Sequence, residues 1–418
     1  MLILVPKNTP RLAYTLDFIL VEILNISYQM TTSIDFFKSS ENKHKWSYGV
    51  FCDENTPTLP CFPLMFEETI VEQTLEKIEK DNIIALFKTE EIYNEIHFDV
   101  IASVFYLISR YEEYLPAVHD PHGRYASFQS VASQYDFLDI PMVNRYIDWL
   151  AQWLTSQFKT LDIKPPNGRA LFTFDIDHPF YSQGISIQKK ITRQLRDLFS
   201  NTEKDKFDTF DFIHATIDTL DARYFVLCPK EPSKNDHFVL REDAVFTDLI
   251  RSLSQKISMG IHPSYFSIDH KLISSEIQWL ESKIENDVFT SRFHYLRFKI
   301  EQLVAAYKNT RIKEDFSMAY GNISGFRSST SFPYYFYDLQ KNRKTELKIW
   351  TPCIMDSTYE YYRGNDKKDL FLAKTKQYIR EIKQYGGTFT PIFHNDILSH
   401  SSWKETLIET VKIVRDEL

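Results

Sequence analysis

The chain has 418 residues, 43% hydrophobic and 25% charged, the composition of an ordinary globular protein with ample core; at ~100–200 residues per domain this predicts two to three domains, or one barrel plus a smaller unit. Lys plus Arg is 49 against 57 for Asp plus Glu, and this net charge of −8, without a basic block, argues against nucleic acid as a partner. Four cysteines without CxxC spacing give neither a zinc knuckle nor a disulfide framework and fit a reducing cytoplasm.

Residues Leu2–Val5 read as a short buried strand stopped by Pro6, and Arg11–Leu24 as a helix. This opening stretch lacks a basic n-region and is interrupted by Pro6, Pro10, Arg11, Asp17 and Glu22. It therefore predicts neither a signal peptide nor a membrane span, and no other stretch approaches about 18 apolar residues. Asp53–Pro63, with Pro57, Pro60 and Pro63, is a loop. Phe98–Tyr114 has apolar residues at helical spacing and predicts a buried helix, as does Val143–Phe158. Between them, His119, Asp120 and His122 are close enough for a second metal site. The favoured reading is a polar interdomain loop, with Arg124 paired to Glu112 or Glu113, packed where it shapes a substrate groove. LDIKPPNGR then marks a junction near 162–168, dividing the chain into a smaller α/β domain over 1–165 and a second unit over 166–418.

Past the junction, short apolar runs recur: ALFTF (170–174), ARYFVLC (222–228), KISMGI (256–261), SRFHYLRF (291–298), FSMAY (316–320), ISGF (323–326), LKIWTPCIM (347–355) and TFTPIF (388–393). Helical segments such as Glu242–Gln255, Ile273–Ile284 and Asp369–Gln384 alternate with them. Such runs suit parallel strands buried on both faces. About seven β/α repeats predict a distorted (β/α) barrel, with an open doubly wound sheet as the alternative.

Several runs end on residues that bind metals or move protons: Asp175 and Asp177 after ALFTF, His262 after KISMGI, Arg327 after ISGF, Asp356 after LKIWTPCIM and His394 after TFTPIF. Active sites of parallel barrels gather at such strand ends. Residues two apart in an extended segment point the same way, so Asp175 and Asp177 can face one pocket. Two close carboxylates repel unless a cation or proton lies between them, which suits one to hold an ion and the other to take a proton. The bland alternative is a loop pair or helix cap. His262 is likewise either a borderline-soft metal ligand or a structural histidine.

LFTFDIDHP resembles the first motif of the polysaccharide deacetylase (carbohydrate esterase) superfamily, ARYFVLC its second strand, SMGIH the segment leading to its first histidine ligand, GFRSSTSFPYY its arginine motif and TPIFHN its last motif. RYEEYLP at Arg110–Pro116, with Asp120 and His122-Gly123-Arg124, is similar to the N-terminal signature of a Bacteroidetes-type subgroup that carries an extra domain before the barrel. The resemblance implies Asp175 as general base, Asp177 and His262 as metal ligands, Arg327 as the group orienting Asp175, and His394 as general acid; Asp356 is placed to orient His394, as a carboxylate does for a working imidazole, or is a strand-end cap. The family's second histidine would fall at Phe266, which binds no metal. His294, within SRFHYLRF, is the favoured replacement, with His178 the other choice.

The function so implied is metal-dependent hydrolysis of an acetyl amide or ester on an amino sugar or glycan. The ion would be divalent, zinc first and cobalt, nickel or iron also suited, in a cytoplasmic protein without a membrane span. The main alternative is a non-catalytic glycan-binding or assembly protein with a degenerate barrel. Hydrolysis of a small C–N compound is a third reading.

Overall fold

The computed structural model describes residues 1–418 except 94, 165, 182–204, 232, 237–240, 242, 268–269 and 363–366. The N-terminal region opens with a parallel sheet of β1 (Leu2–Leu4), β2 (Gln29–Thr31), β3 (Lys45–Tyr48) and β4 (Thr58–Leu59), in the order β2-β1-β3-β4. A helix starts at Pro10, with Thr9 Oγ1 accepting from Leu12 N at 3.2 Å, and runs to Leu16. Proline at a first helical position costs nothing, because its missing N–H would have had no helical acceptor. The helix continues in π form over Asp17–Ile23, so the predicted Arg11–Leu24 helix is present in two geometries. Two antiparallel hairpins follow: β5 (Ile78–Lys80) with β6 (Ile83–Ala85), and β7 (Lys88–Tyr93) with β8 (Ile96–Phe98).

The helix Val100–Ile108 is buried at every position. Asp99 caps it, accepting from the Ile101 and Ala102 N–H groups at 2.9 and 3.0 Å. A helix apolar on all sides belongs inside a protein. It ends at Arg110, whose left-handed backbone (φ 53°) starts a short 3-10 turn, so the helix predicted to Tyr114 is shorter. Met142–Gln157 forms the second long helix.

The remaining strands are β9 (Gly168–Ala170), β10 (Phe172–Ile176), β11 (Ala222–Leu227), β12 (Ser258–His262), β13 (Thr290–Ser291), β14 (Glu314–Asp315), β15 (Tyr334–Asp338), β16 (Arg343–Ile349), β17 (Ile354–Met355), β18 (Gly387–Phe389) and β19 (Pro391–His394). Nine of them make one sheet in the order β15-β16-β14-β13-β12-β11-β10-β19-β17, parallel except for the β15/β16 pair, while β9 and β18 form a separate parallel pair. The edges β15 and β17 do not join. Among the described residues the sheet does not close, so the distorted seven-strand barrel expected above is replaced by a large, mostly parallel sheet of nine strands.

Three runs behave differently from their prediction. β14 ends at Asp315, just short of FSMAY, because the Asp315 carboxylate accepts from Ser317 N and Ser317 Oγ at 2.8 and 3.0 Å and turns the chain out of the ladder. ISGF forms no strand, with Gly325 at φ 136°. SRFHYLRF contributes only Ser291 to the sheet before leaving it for a 3-10 turn at His294–Leu296. The predicted helix over Glu242–Gln255 runs Ala244–Ser254, and Glu242 itself lies outside the described residues. His270–Ile284 and Lys367–Tyr385 match the other two predicted helices closely, and Ser401–Glu417 adds a C-terminal helix.

One hydrophobic core cluster runs from Ile3 to Val414 and crosses the expected junction. Polar bonds cross it too. Asn144 Nδ2 donates to Ser331 Oγ and the Gly386 carbonyl at 2.7 and 2.9 Å. Glu113 takes two bonds from Arg327, at 2.9 and 2.6 Å. No helix among the described residues is long and apolar enough to cross a membrane.

Candidate metal centre

Adjacent parallel strands bring their C-terminal ends to one edge of the sheet. β10 is paired with β11 and β19, and β11 with β12. In this register Asp175 lies opposite His394, and Leu227 opposite His262. Segments distant in sequence thereby open onto one cleft of about 330 Å³, lined by Asp175, Asp177, His262, His294 and His394 among others.

Ligand atoms of Asp177, His262 and His294 lie within 4.8 Å of one another. His262 Nδ1 donates to the Arg292 carbonyl at 2.5 Å, and His294 Nδ1 donates to Asp236 Oδ1 at 2.8 Å. Both acceptors fix the ring proton on Nδ1. Each Nε2 is left to face Asp177, at 3.3 Å from its Oδ1 for His262 and 3.4 Å from its Oδ2 for His294. Asp177 Oδ1 is buried and accepts no hydrogen bond. Lone pairs on two imidazoles and a carboxylate thus converge on a small buried volume. That arrangement is repulsive unless a cation or proton fills it. One carboxylate and two imidazoles suit zinc and its neighbours, so the residues present fit a divalent ion.

The electrostatics follow from this crowding. Burial opposes charging Asp177, but His294 and His262 outweigh it and hold its pKa well below the usual carboxylate range. Burial likewise opposes protonation of His294, yet Asp177 and Asp236 push its pKa up to about 9.

Asp175 sits beside the cluster, 2% exposed. Its Oδ1 accepts from Arg292 Nη1 at 2.6 Å, while Arg292 Nη2 donates to Thr173 Oγ1 at 2.8 Å. Arg292 is itself buried, with its charge over the Phe225 ring at 4.4 Å. On the other side stands His394, whose Nδ1 donates to Asp356 Oδ1 at 2.6 Å and whose backbone N–H donates to Asp356 Oδ2 at 2.7 Å. His394 Nε2 then faces Asp175 Oδ2 and Asp177 Oδ2, each at 3.9 Å. Burial lowers the basicity of His394, but Asp356 first and then Asp177 and Asp175 reverse that, and its pKa rises to about 10.

Six of the seven residues expected at the site, Asp175, Asp177, His262, His294, Asp356 and His394, meet in this way. Arg327 does not touch Asp175. Its guanidinium is spent on Glu113 of the N-terminal region and on the Ala319 carbonyl, and Arg292 occupies the place beside Asp175. The sequence carried a signal for Arg292, which follows a strand end in the same run as His294. Asp236 was missed, because an isolated acid in a loop has no pattern. His178 bonds Asp396 Oδ2 at 2.6 Å through Nδ1 and lines the cleft outside the cluster. Phe266, at the family's usual histidine position, points outward and is 53% exposed.

The loop at Asp120–Arg124 is polar, as favoured, but its pairing differs from prediction. Asp120 Oδ1 accepts from the His122 and Arg124 N–H groups, Gly123 takes φ 75°, and Arg124 Nε pairs with Asp120 Oδ2 at 2.7 Å. Glu112 and Glu113 pair instead with Arg110, at 2.8 and 2.9 Å. Among the described residues only the Asp177 cluster has metal-ligand geometry, so His119, Asp120 and His122 form no second centre there.

Residues 1–159 match a family described as of unknown function (DUF7033). No curated protein matches the chain. Among solved structures it is similar to a Mycobacterium smegmatis protein assigned to the polysaccharide deacetylases, at 11% identity over 60% of this chain and 85% of that one, with TM-score 0.38. It is similar to an allantoinase at 10% identity over 60% and 85%, with TM-score 0.40. A third is the CE4 domain of a multidomain xylanase from the hindgut metagenome of Trinervitermes trinervoides, at 11% identity over 60% and 84%, with TM-score 0.30.

Proposed function

We propose that this chain is a metal-dependent hydrolase that removes acetyl groups from an amino sugar or glycan. The observation that carries the reading is the convergence of Asp177, His262 and His294, with both imidazole Nδ1 atoms committed elsewhere and Asp177 Oδ1 left without a donor. A divalent ion held by these three residues, zinc first, would polarise the acyl carbonyl and lower the pKa of water from ~15.7 toward ~7.

The chain's own groups supply the proton transfers. Asp175 is the general base. Arg292, donating at 2.6 Å, orients it. His394 is the general acid. With a pKa near 10 it carries a proton at neutral pH, and Asp356 fixes that proton-bearing ring with Nε2 toward the cleft. His394 Nε2 and Asp175 Oδ2 stand 3.9 Å apart beside Asp177, so a water and a leaving group on one acyl carbon lie within reach of both. Arg327 belongs to the scaffold in this reading. The motif resemblance to the polysaccharide deacetylases supplies the acetylated sugar as substrate class, and the N-terminal region contributes a wall of the cleft through Arg124.

Metal analysis of purified protein, with acetate release from N- and O-acetylated glycans, tests the proposal. One equivalent of metal, lost in Asp177→Ala together with acetate release, is expected. Absence of metal from the wild type under zinc, cobalt, nickel or iron(II) loading would overturn the hydrolase reading in favour of a sugar-binding protein.

A further inference from the structure

Arg124 belongs to the N-terminal region, yet its side chain lines the cleft of the Asp177 cluster while only 10% exposed. Two of its nitrogens are engaged. Nε donates to Asp120 and Nη1 donates to the Tyr295 carbonyl, at 2.7 and 2.8 Å. Nη2 takes no partner among the described residues. The guanidinium is nine-tenths buried and turned toward the cleft, where an acceptor can complete its hydrogen bonds.

The surroundings are shaped around it. A Cβ on Gly321 would come within 2.2 Å of Arg124 Nη1, so only glycine lets the guanidinium lie there. Tyr295 adopts φ 58°, a left-handed backbone that is strained for a non-glycine residue, and its carbonyl accepts from Arg124. Nearby, Arg297 spends two donors on neutral acceptors, the His122 and Tyr265 carbonyls, at 2.9 and 2.8 Å. Asp120 is paired with Arg124 and not with Arg297 among the described residues. Arg124 thus stands on a wall of the cleft whose floor carries Asp175 and Asp177.

We propose that Arg124 is a subsite for an anionic substituent, a carboxylate or phosphate, on the sugar whose acyl group meets the Asp177 cluster. The sugar in this statement rests on the hydrolase reading; the anion does not. Arg124 bonds the carbonyl of the residue next to His294, and the two side chains line the same cleft. A carboxylate or phosphate can take Nη2 and the second Nη1 proton together, as guanidinium geometry favours.

Calorimetric titration of the full chain with N-acetylglucosamine, N-acetylglucosamine 1-phosphate, N-acetylglucosamine 6-phosphate and N-acetylmuramic acid tests this. At least one acidic sugar should bind about tenfold tighter than the neutral one, as one charge-assisted contact provides. Which acid prevails distinguishes phosphate from carboxylate. Arg124→Gln should erase the advantage. Should that variant fail to fold, raising the salt tenfold on wild-type protein should weaken the acidic sugars alone, because screening acts on the charge. Equal affinity for neutral and acidic sugars, no detectable binding of any acidic sugar, an advantage that survives Arg124→Gln, or one indifferent to salt would overturn the proposal. Metal content of the same preparations separates the two ideas. Metal-free protein that prefers acidic sugars through Arg124 sinks the hydrolase and keeps the subsite; metal-loaded protein without the preference does the reverse.

Discussion

An imidazole offers a metal one nitrogen well only when its other nitrogen is committed, and the two histidines here are committed differently. His262 leans on a backbone carbonyl, whereas His294 leans on a carboxylate, Asp236, which also accepts from Tyr265 N and Ser233 Oγ at 2.8 and 2.7 Å. Those neighbours, with His294, outweigh burial and keep Asp236 ionised. A carboxylate behind an imidazole raises its basicity and fixes its tautomer. Asp236→Asn should therefore weaken metal affinity about 10–100-fold while leaving the fold intact. Competition with a chromogenic chelator measures it, and an affinity equal to wild type would mean that Asp236 serves the loop and not the metal. The carboxylates and histidines at strand ends were legible as residues, because strand-end position and period-two alternation are local facts. Arg327 does not meet Asp175 for a physical reason: two arginines lie in or just after apolar runs, and only three-dimensional packing decides which of them meets Asp175 and which meets Glu113.

The elements meet around that second pairing. The 3-10 turn Tyr111–Tyr114 carries Glu113 between Arg110 and Arg327, a buried Arg–Glu–Arg chain that ties the end of helix Val100–Ile108 to the segment before β15. Burial raises the Glu113 pKa, but Arg327 and Arg110 more than reverse it, to about 2. A carboxylate depressed in the folded state adds stability above its unfolded value, here 4.5, and loses it as pH falls toward 2. Glu113→Gln should cost about 3–5 kcal/mol near neutral pH, since it leaves two guanidiniums buried with less countercharge. Its deficit relative to wild type should shrink between pH 4.5 and pH 2. Urea unfolding of both proteins across that range checks it, and a deficit that does not change with pH would mean the pair contributes shape alone. The RYEEY stretch was visible as a motif, but its partner, more than two hundred residues away, was not. The strands had the same limit: runs such as FSMAY were apolar enough to read as strands, and only the Asp315–Ser317 turn shows why the ladder stops before them.

At the scale of the molecule, the question is whether 1–165 and 166–418 are separable. Sequence punctuation at LDIKPPNGR suggested a junction, and punctuation reports where a chain bends, not where a core ends. The hydrophobic cluster is continuous from Ile3 to Val414, and ties across the junction are buried: Arg327 on Glu113, and Asn144 on Ser331 and Gly386. Unfolding either part alone would leave Arg327 or Glu113 charged in a half-dismantled interior and strip an apolar face from the other part. That penalty exceeds what a mobile interdomain surface carries, and chains this long often unfold in steps when no such penalty joins their parts. We therefore expect a single calorimetric transition for the full chain, with van't Hoff and calorimetric enthalpies in agreement. We also expect residues 166–418, expressed alone, to give no cooperative transition. Two resolved peaks, the later one reproduced by the isolated fragment, would establish independent domains; the Arg124 wall of the cleft would then belong to a separately folding unit that docks onto the Asp177 cluster.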